Sequence, residues 1–88
     1  VLDDLTAASF VPHIGRAFAV EGHGVLILED VAEGGPAPGP GLRVPFTLRF
    51  SGAVTLDQQI HRLAHPTLGW LDIFLVRIGE TTYEAVFA

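Results

Sequence analysis

The sequence predicts an all-β domain: a small antiparallel six-stranded barrel or a compact two-sheet sandwich, entered through a short N-terminal helical segment. Three observations carry that expectation. From residue 16 onward apolar residues alternate with polar ones or run in short blocks, which is the strand pattern. Turn residues separate the blocks, at Gly22-His23-Gly24, 33–41, Gly52, His65–Gly69 and Gly79-Glu80-Thr81. Short connections between successive strands imply antiparallel pairing.

The entry segment is read as two short turns. Thr6 is an N-cap candidate, and Leu5 before it is placed to pack on Phe10. Pro12 has no place deep in a helix, because its ring clashes with the carbonyl four residues back. One turn is therefore expected from Thr6 to Phe10, and a second with Pro12 at its first position and Gly15 ending it. Arg16–Glu21 alternates, with Phe18 and Val20 on one face. Val25–Val31 is almost continuously apolar and fits a strand with neighbours on both sides.

Residues 33–41 (EGGPAPGPG) hold four Gly and three Pro in nine positions and must form a loop. They are expected to join two strands, with partner docking through Pro36, Pro38 and Pro40 as the sharper reading. Arg43–Ser51 alternates most cleanly: Phe46, Leu48 and Phe50 one way, Thr47, Arg49 and Ser51 the other. Leu56–Ala64 is a strand that is weaker in its first half. Pro66 forces His65 to be extended, and His65–Gly69 is a turn. Trp70–Ile78 is apolar on both faces apart from Asp72 and Arg77, which makes it the candidate central strand. Thr82–Phe87 closes the chain with Tyr83, Ala85 and Phe87 on one face.

The 88 residues make a single domain, 1–88, with 33–41 a loop within it. Hydrophobic residues are 49% of the chain and charged residues only 17%, which excludes disorder. A domain this small buries roughly 60–65% of its unfolded surface, and it has no disulfide or metal staple. The core must be densely apolar, or completed by self-association. Ten acidic residues against five arginines give a net charge of −5. That opposes a nucleic-acid or anionic-membrane partner, either of which favours a basic patch. No run approaches the roughly 20 apolar residues of a membrane span. Val1-Leu2-Asp3-Asp4 has neither a basic nor an apolar leader region, so it does not read as a signal peptide, and a cytoplasmic location is expected.

The chemical inventory is thin. With no cysteine, thiolate ligands, cysteine nucleophiles and disulfides are excluded. The histidines are His13, His23, His61 and His65. His61 and His65 share a strand face but stand roughly 13 Å apart, too far to share one zinc ion. His65 is expected to hydrogen-bond the backbone of its own turn, His13 to satisfy the last carbonyls of the helical segment, and His23 to be solvated. Ser9 and Ser51 lack the strained Gly-flanked setting of a nucleophile elbow. Glu29 and Asp30, as neighbours on a strand, are expected on opposite faces, where they cannot share a proton. No phosphate-binding or calcium-binding loop is present. Neither an enzyme nor a metal or cofactor site is expected. Glu84 sits on a strand suited to burial and is read as the acid of an ion pair with Arg49, Arg62 or Arg77. Trp70 is expected in the core; on the rim it would be the foremost interface anchor.

Several segments together carry a resemblance. Leu5-Thr6-x-x-x-Phe10-x-Pro12-x-x-Gly15-x-x-Phe18 opens the chain, and Phe46-x-Leu48-x-Phe50-x-Gly52 occupies its middle. Arg62-Leu63-x-His65-Pro66-x-Leu68-Gly69, Leu71-x-Ile73-Phe74-Leu75-Val76 and Tyr83-Glu84-Ala85-Val86-Phe87 supply the specific part. The chain resembles a family of small bacterial proteins known only as a domain of unknown function. The resemblance implies short, stand-alone proteins, some encoded near genes resembling phage-tail collar or fibre proteins, with no assigned catalytic residues. His65, Pro66, Gly69 and Glu84 match motif positions and are read as structural. His61, Arg77 and Ala88 stand where Tyr, Pro and Asn are usual, so no ligand role carries over to His61.

The expectation is thus a non-catalytic structural or protein-interaction module with a protein partner or self-association, accessory to a tail-like assembly. The alternative is a small-ligand-binding barrel.

Overall fold

A computed structural model describes residues 5–35, 39–40 and 43–87. One turn of helix, α1 (Ala7–Phe10), runs into a 3-10 turn (Val11–His13). Six strands follow: β1 (Ala17–Val20), β2 (Gly24–Glu33), β3 (Phe46–Ser51), β4 (Gln59–His65), β5 (Gly69–Arg77) and β6 (Thr82–Phe87). They close into an antiparallel barrel in the order β1-β2-β3-β6-β5-β4. Closure decides between the two expected architectures, because every strand has a partner on each side. It also corrects the reading of β5 as a central strand, since a closed barrel has no centre.

Alternation fixes which side chains fill the interior. Phe46, Leu48 and Phe50 of β3 point inward, as do Leu71, Ile73 and Leu75 of β5 and Tyr83, Ala85 and Phe87 of β6. Phe18 meets Phe50 edge-on at 5.4 Å between ring centres, a favoured aromatic geometry. Leu26, Leu28, Leu48, Leu63 and Leu75 are fully buried with them.

The helical segment seals one end. Phe10 is fully buried and lies 5.8 Å from both Phe46 and Phe87, which stack on each other at 4.6 Å. The Arg43 guanidinium sits 5.5 Å from both stacked rings and donates to the Leu5 carbonyl at 2.8 Å. It thereby ties the entry of the chain to this aromatic cluster. At the start of α1, the Thr6 amide donates to Ser9 Oγ at 3.0 Å. Pro12 is the second residue of the 3-10 turn, not the first.

Residues 52–58 close the other end. The buried Tyr83 hydroxyl donates to the Val54 carbonyl (2.8 Å) and accepts from the Leu56 amide (3.0 Å). This places Leu56 in the core without strand pairing, so β4 begins at Gln59 and not at 56. Gly52 is required by close approach: a Cβ there would lie 2.7 Å from the Val25 carbonyl oxygen.

β2 carries a bulge that the composition did not announce. Leu28 opposes Phe50 and Asp30 opposes Arg49, leaving Glu29 as the extra residue. Glu29 and Asp30 are consequently both exposed, which corrects the expectation of opposite faces. Asp30 Oδ1 accepts from the Val31 amide at 2.9 Å, and Ser51 Oγ donates to the Glu29 carboxylate.

Candidate interaction face

Two hairpin strands and β1 build one outward surface. β4 and β5 pair with Ile60 opposite Phe74, Arg62 opposite Asp72 and Ala64 opposite Trp70. The same register continues sideways: Ala64 opposes Ala19 of β1, and Ala19 opposes Val25 of β2. Val25, Ala19, Ala64 and Trp70 therefore form one apolar row across four strands, about 14 Å from end to end at the usual strand spacing. Ile60 and Phe74 form a second apolar pair on the same face. Trp70 is 66% exposed, Ile60 64% and Phe74 48%. Val86, 68% exposed, faces outward from β6.

Between the two apolar groups runs a charged row. Arg62 Nε donates to Asp72 Oδ1 at 3.0 Å and lies 3.9 Å from Glu21 Oε2. The hydrogen bond to Asp72, then the charges of Asp72 and Glu21, raise the Arg62 pKa above its ordinary value. These side chains are about half exposed, so their ion pairs contribute orientation more than stability.

Trp70 is corrected from core to surface. β5 alternates strictly, and Asp72 marks its wet side, so Trp70 and Phe74 lie outward with it. The turn before Trp70 fixes where the indole starts. His65 Nδ1 accepts from the amides of Thr67 (3.0 Å) and Leu68 (3.3 Å). Pro66 is exposed in that turn, and Gly69 ends it with φ +79°, a conformation that favours glycine.

The remaining candidates are dispersed. Pro36 and Pro38 lie outside the described residues; Pro40 is exposed in a turn. Glu84 stands opposite Arg49 across the β3–β6 ladder and is half-buried. Among the described residues, the ion pairs all belong to Arg62, and the Arg77 guanidinium turns to the carbonyls of Gly79 and Glu80. Among the described residues Glu84 and Arg49 are thus cross-strand neighbours, and the expected Glu84–arginine ion pair is not formed.

The four histidines meet in two pairs. His13 and His65 lie 4.3 Å apart between ring centres, with Phe18 4.7 Å from His65. The His13 ring thus packs on another imidazole where capping of carbonyls was expected. His23, exposed at its turn, meets His61 edge-on at 5.5 Å, and His61 Nε2 bonds the Asp57 carbonyl at 2.8 Å. Burial first, then the positive charges of His13 and Arg16, hold the His65 pKa below the ordinary histidine value. Among the described residues no three metal-ligating side chains converge, and no helix is long and apolar enough to cross a membrane.

Sequence reasoning missed Ile60, Phe74 and the Tyr83 hydroxyl. The first two were findable, because Arg62 and Asp72 at alternate positions mark the face they share.

A family model described as a domain of unknown function (DUF6916) matches residues 5–87, in keeping with the resemblance carried by the chain's motifs. Searches of curated proteins and of solved structures found no match.

Proposed function

Because the chain belongs to the DUF6916 family, whose description assigns no activity, we propose its role from geometry: a non-catalytic protein-interaction module that docks through the outer face of β1, β4 and β5. One observation carries this reading. A tryptophan that alternation could have spared for the core is instead exposed on the barrel wall, separated from the exposed Ile60–Phe74 pair by the Arg62–Asp72 row. Trp is enriched at the energetic centre of interfaces, and a polar strip between apolar anchors supplies specificity. The setting we propose is a tail-like assembly, which rests solely on what the family resemblance implies.

The filled interior weighs against the small-ligand alternative. Phe10, Phe18, Phe46, Phe50, Tyr83 and Phe87 occupy the space where a barrel ligand would sit. No observation favours that reading over the outer face.

The test is the paired variant Trp70→Ser with Phe74→Ser. Both side chains are exposed, so thermal stability should change little, as for most surface positions. Affinity capture from the source organism should lose its stoichiometric protein partner. Unchanged capture by a folded variant would remove the face from consideration.

A further inference from the structure

We propose that His65, with the His13 ring packed against it, forms a proton-operated latch on the turn that leads into Trp70. The latch stands on backbone geometry and is independent of the docking role.

Nδ1 of His65 accepts two amide hydrogens, from Thr67 and Leu68. An acceptor nitrogen carries no proton, so the neutral ring holds its hydrogen on Nε2. A second proton has only Nδ1 to occupy. There it would face two N–H donors, and both hydrogen bonds would be lost together. His65 is buried, so a proton on Nδ1 finds no water of its own without the turn opening.

The surroundings oppose the charge from each side. From the 3-10 turn, the His13 ring packs on His65 at 4.3 Å. From the segment before β1, Arg16 adds a fixed positive charge, and from β1 the apolar Phe18 ring covers the imidazole. His61 and His23 meet at the far end of β4 and do not face this ring. β1 and β4 pair at Ala19–Ala64 and Val20–Leu63, and one further bond runs from the Glu21 amide to the Arg62 carbonyl at 2.9 Å. Proton uptake at the end of β4 acts at the hairpin turn itself, just beyond the last β4–β5 pair, His65–Gly69.

The direction follows from linkage. The folded-state pKa of His65 is lowered, so the unfolded or opened chain binds the proton more readily. The latch's contribution is complete above the ordinary histidine value near 6.5. It is lost as pH falls from there towards the lower folded-state value. The turn is closed at neutral pH and opens in mild acid.

Trp70 is the chain's one tryptophan and adjoins the turn, so its emission reads the opening. Between pH 7.5 and 5, wild-type emission should shift, with a midpoint below the ordinary histidine value. Protection of the Thr67 and Leu68 amides, corrected for intrinsic exchange, should fall by up to about tenfold per pH unit, the limit for one coupled proton. His65→Asn places an amide oxygen where Nδ1 was and has nothing to titrate. It should keep both amides protected and abolish the step. Arg16→Gln leaves the latch intact and removes a facing charge, so it should move the midpoint upward. A flat wild-type profile, the same step in His65→Asn, or an Arg16→Gln midpoint that does not rise would each overturn the latch.

Discussion

Phe10→Ala is expected to cost about 3–5 kcal/mol of stability, the range for truncating a buried aromatic. The ring is fully enclosed and touches the Phe46–Phe87 stack that closes one end of the barrel. Its removal leaves a cavity lined by two aromatic faces and leaves Ala7 as the one buried side chain of α1. A domain of this length has roughly 4–13 kcal/mol in total, so the loss takes a large share of it. Urea unfolding followed by circular dichroism measures it. Val11→Ala, one residue on and 52% exposed, is the control and should stay within about 0.5 kcal/mol of wild type. A loss below about 1 kcal/mol for Phe10→Ala would mean that the helical segment is an ornament on the barrel and not its seal.

Tyr83→Phe should cost about 1–3 kcal/mol, although it deletes a single oxygen. That oxygen is the hydrogen-bond partner of both the Val54 carbonyl and the Leu56 amide. Phenylalanine keeps the ring packing and orphans two backbone groups that hold residues 52–58 across the other end. The loss should therefore be local as well as global. Amide exchange at Leu56 should accelerate more than exchange at Leu63, which lies in a strand ladder. Equal acceleration at both sites would show that the hydroxyl serves the whole barrel and not this loop.

Much of the fold was legible in residue order. β3 was plain because Thr47 and Arg49 interrupt Phe46, Leu48 and Phe50 at period two. β6 matched its predicted bounds, 82–87, for the same reason. Barrel or sandwich was not legible, since closure depends on the stagger between strands and not on which residues they contain. The bulge at Glu29 was hidden because an extra residue in a strand leaves no mark on composition when the residue after it, Asp30, is also acidic. β5 was misread through its outer face. Trp70 and Phe74 look like core residues, and alternation was discounted because both faces are apolar. The start of β4 failed differently: Leu56 is buried by a tyrosine hydroxyl 27 positions away, and local pattern cannot report such a tie.

The candidate site was half visible. Trp70 stood out as a lone indole, while its cross-strand companions needed the register before they became neighbours. The Pro/Gly segment drew attention by composition alone, and Pro40, its one described proline, lies exposed in a turn away from any ladder.

The most direct test of the outer β4–β5 face is site-specific photo-cross-linking in cells of the source organism. A photoreactive phenylalanine analogue replaces Phe74 in one strain and Arg49, outward on β3 across the barrel, in another. The docking role predicts one discrete covalent adduct from position 74 and none of that mass from position 49. Equal adducts from both positions, or none from position 74 in a folded and expressed protein, would contradict it.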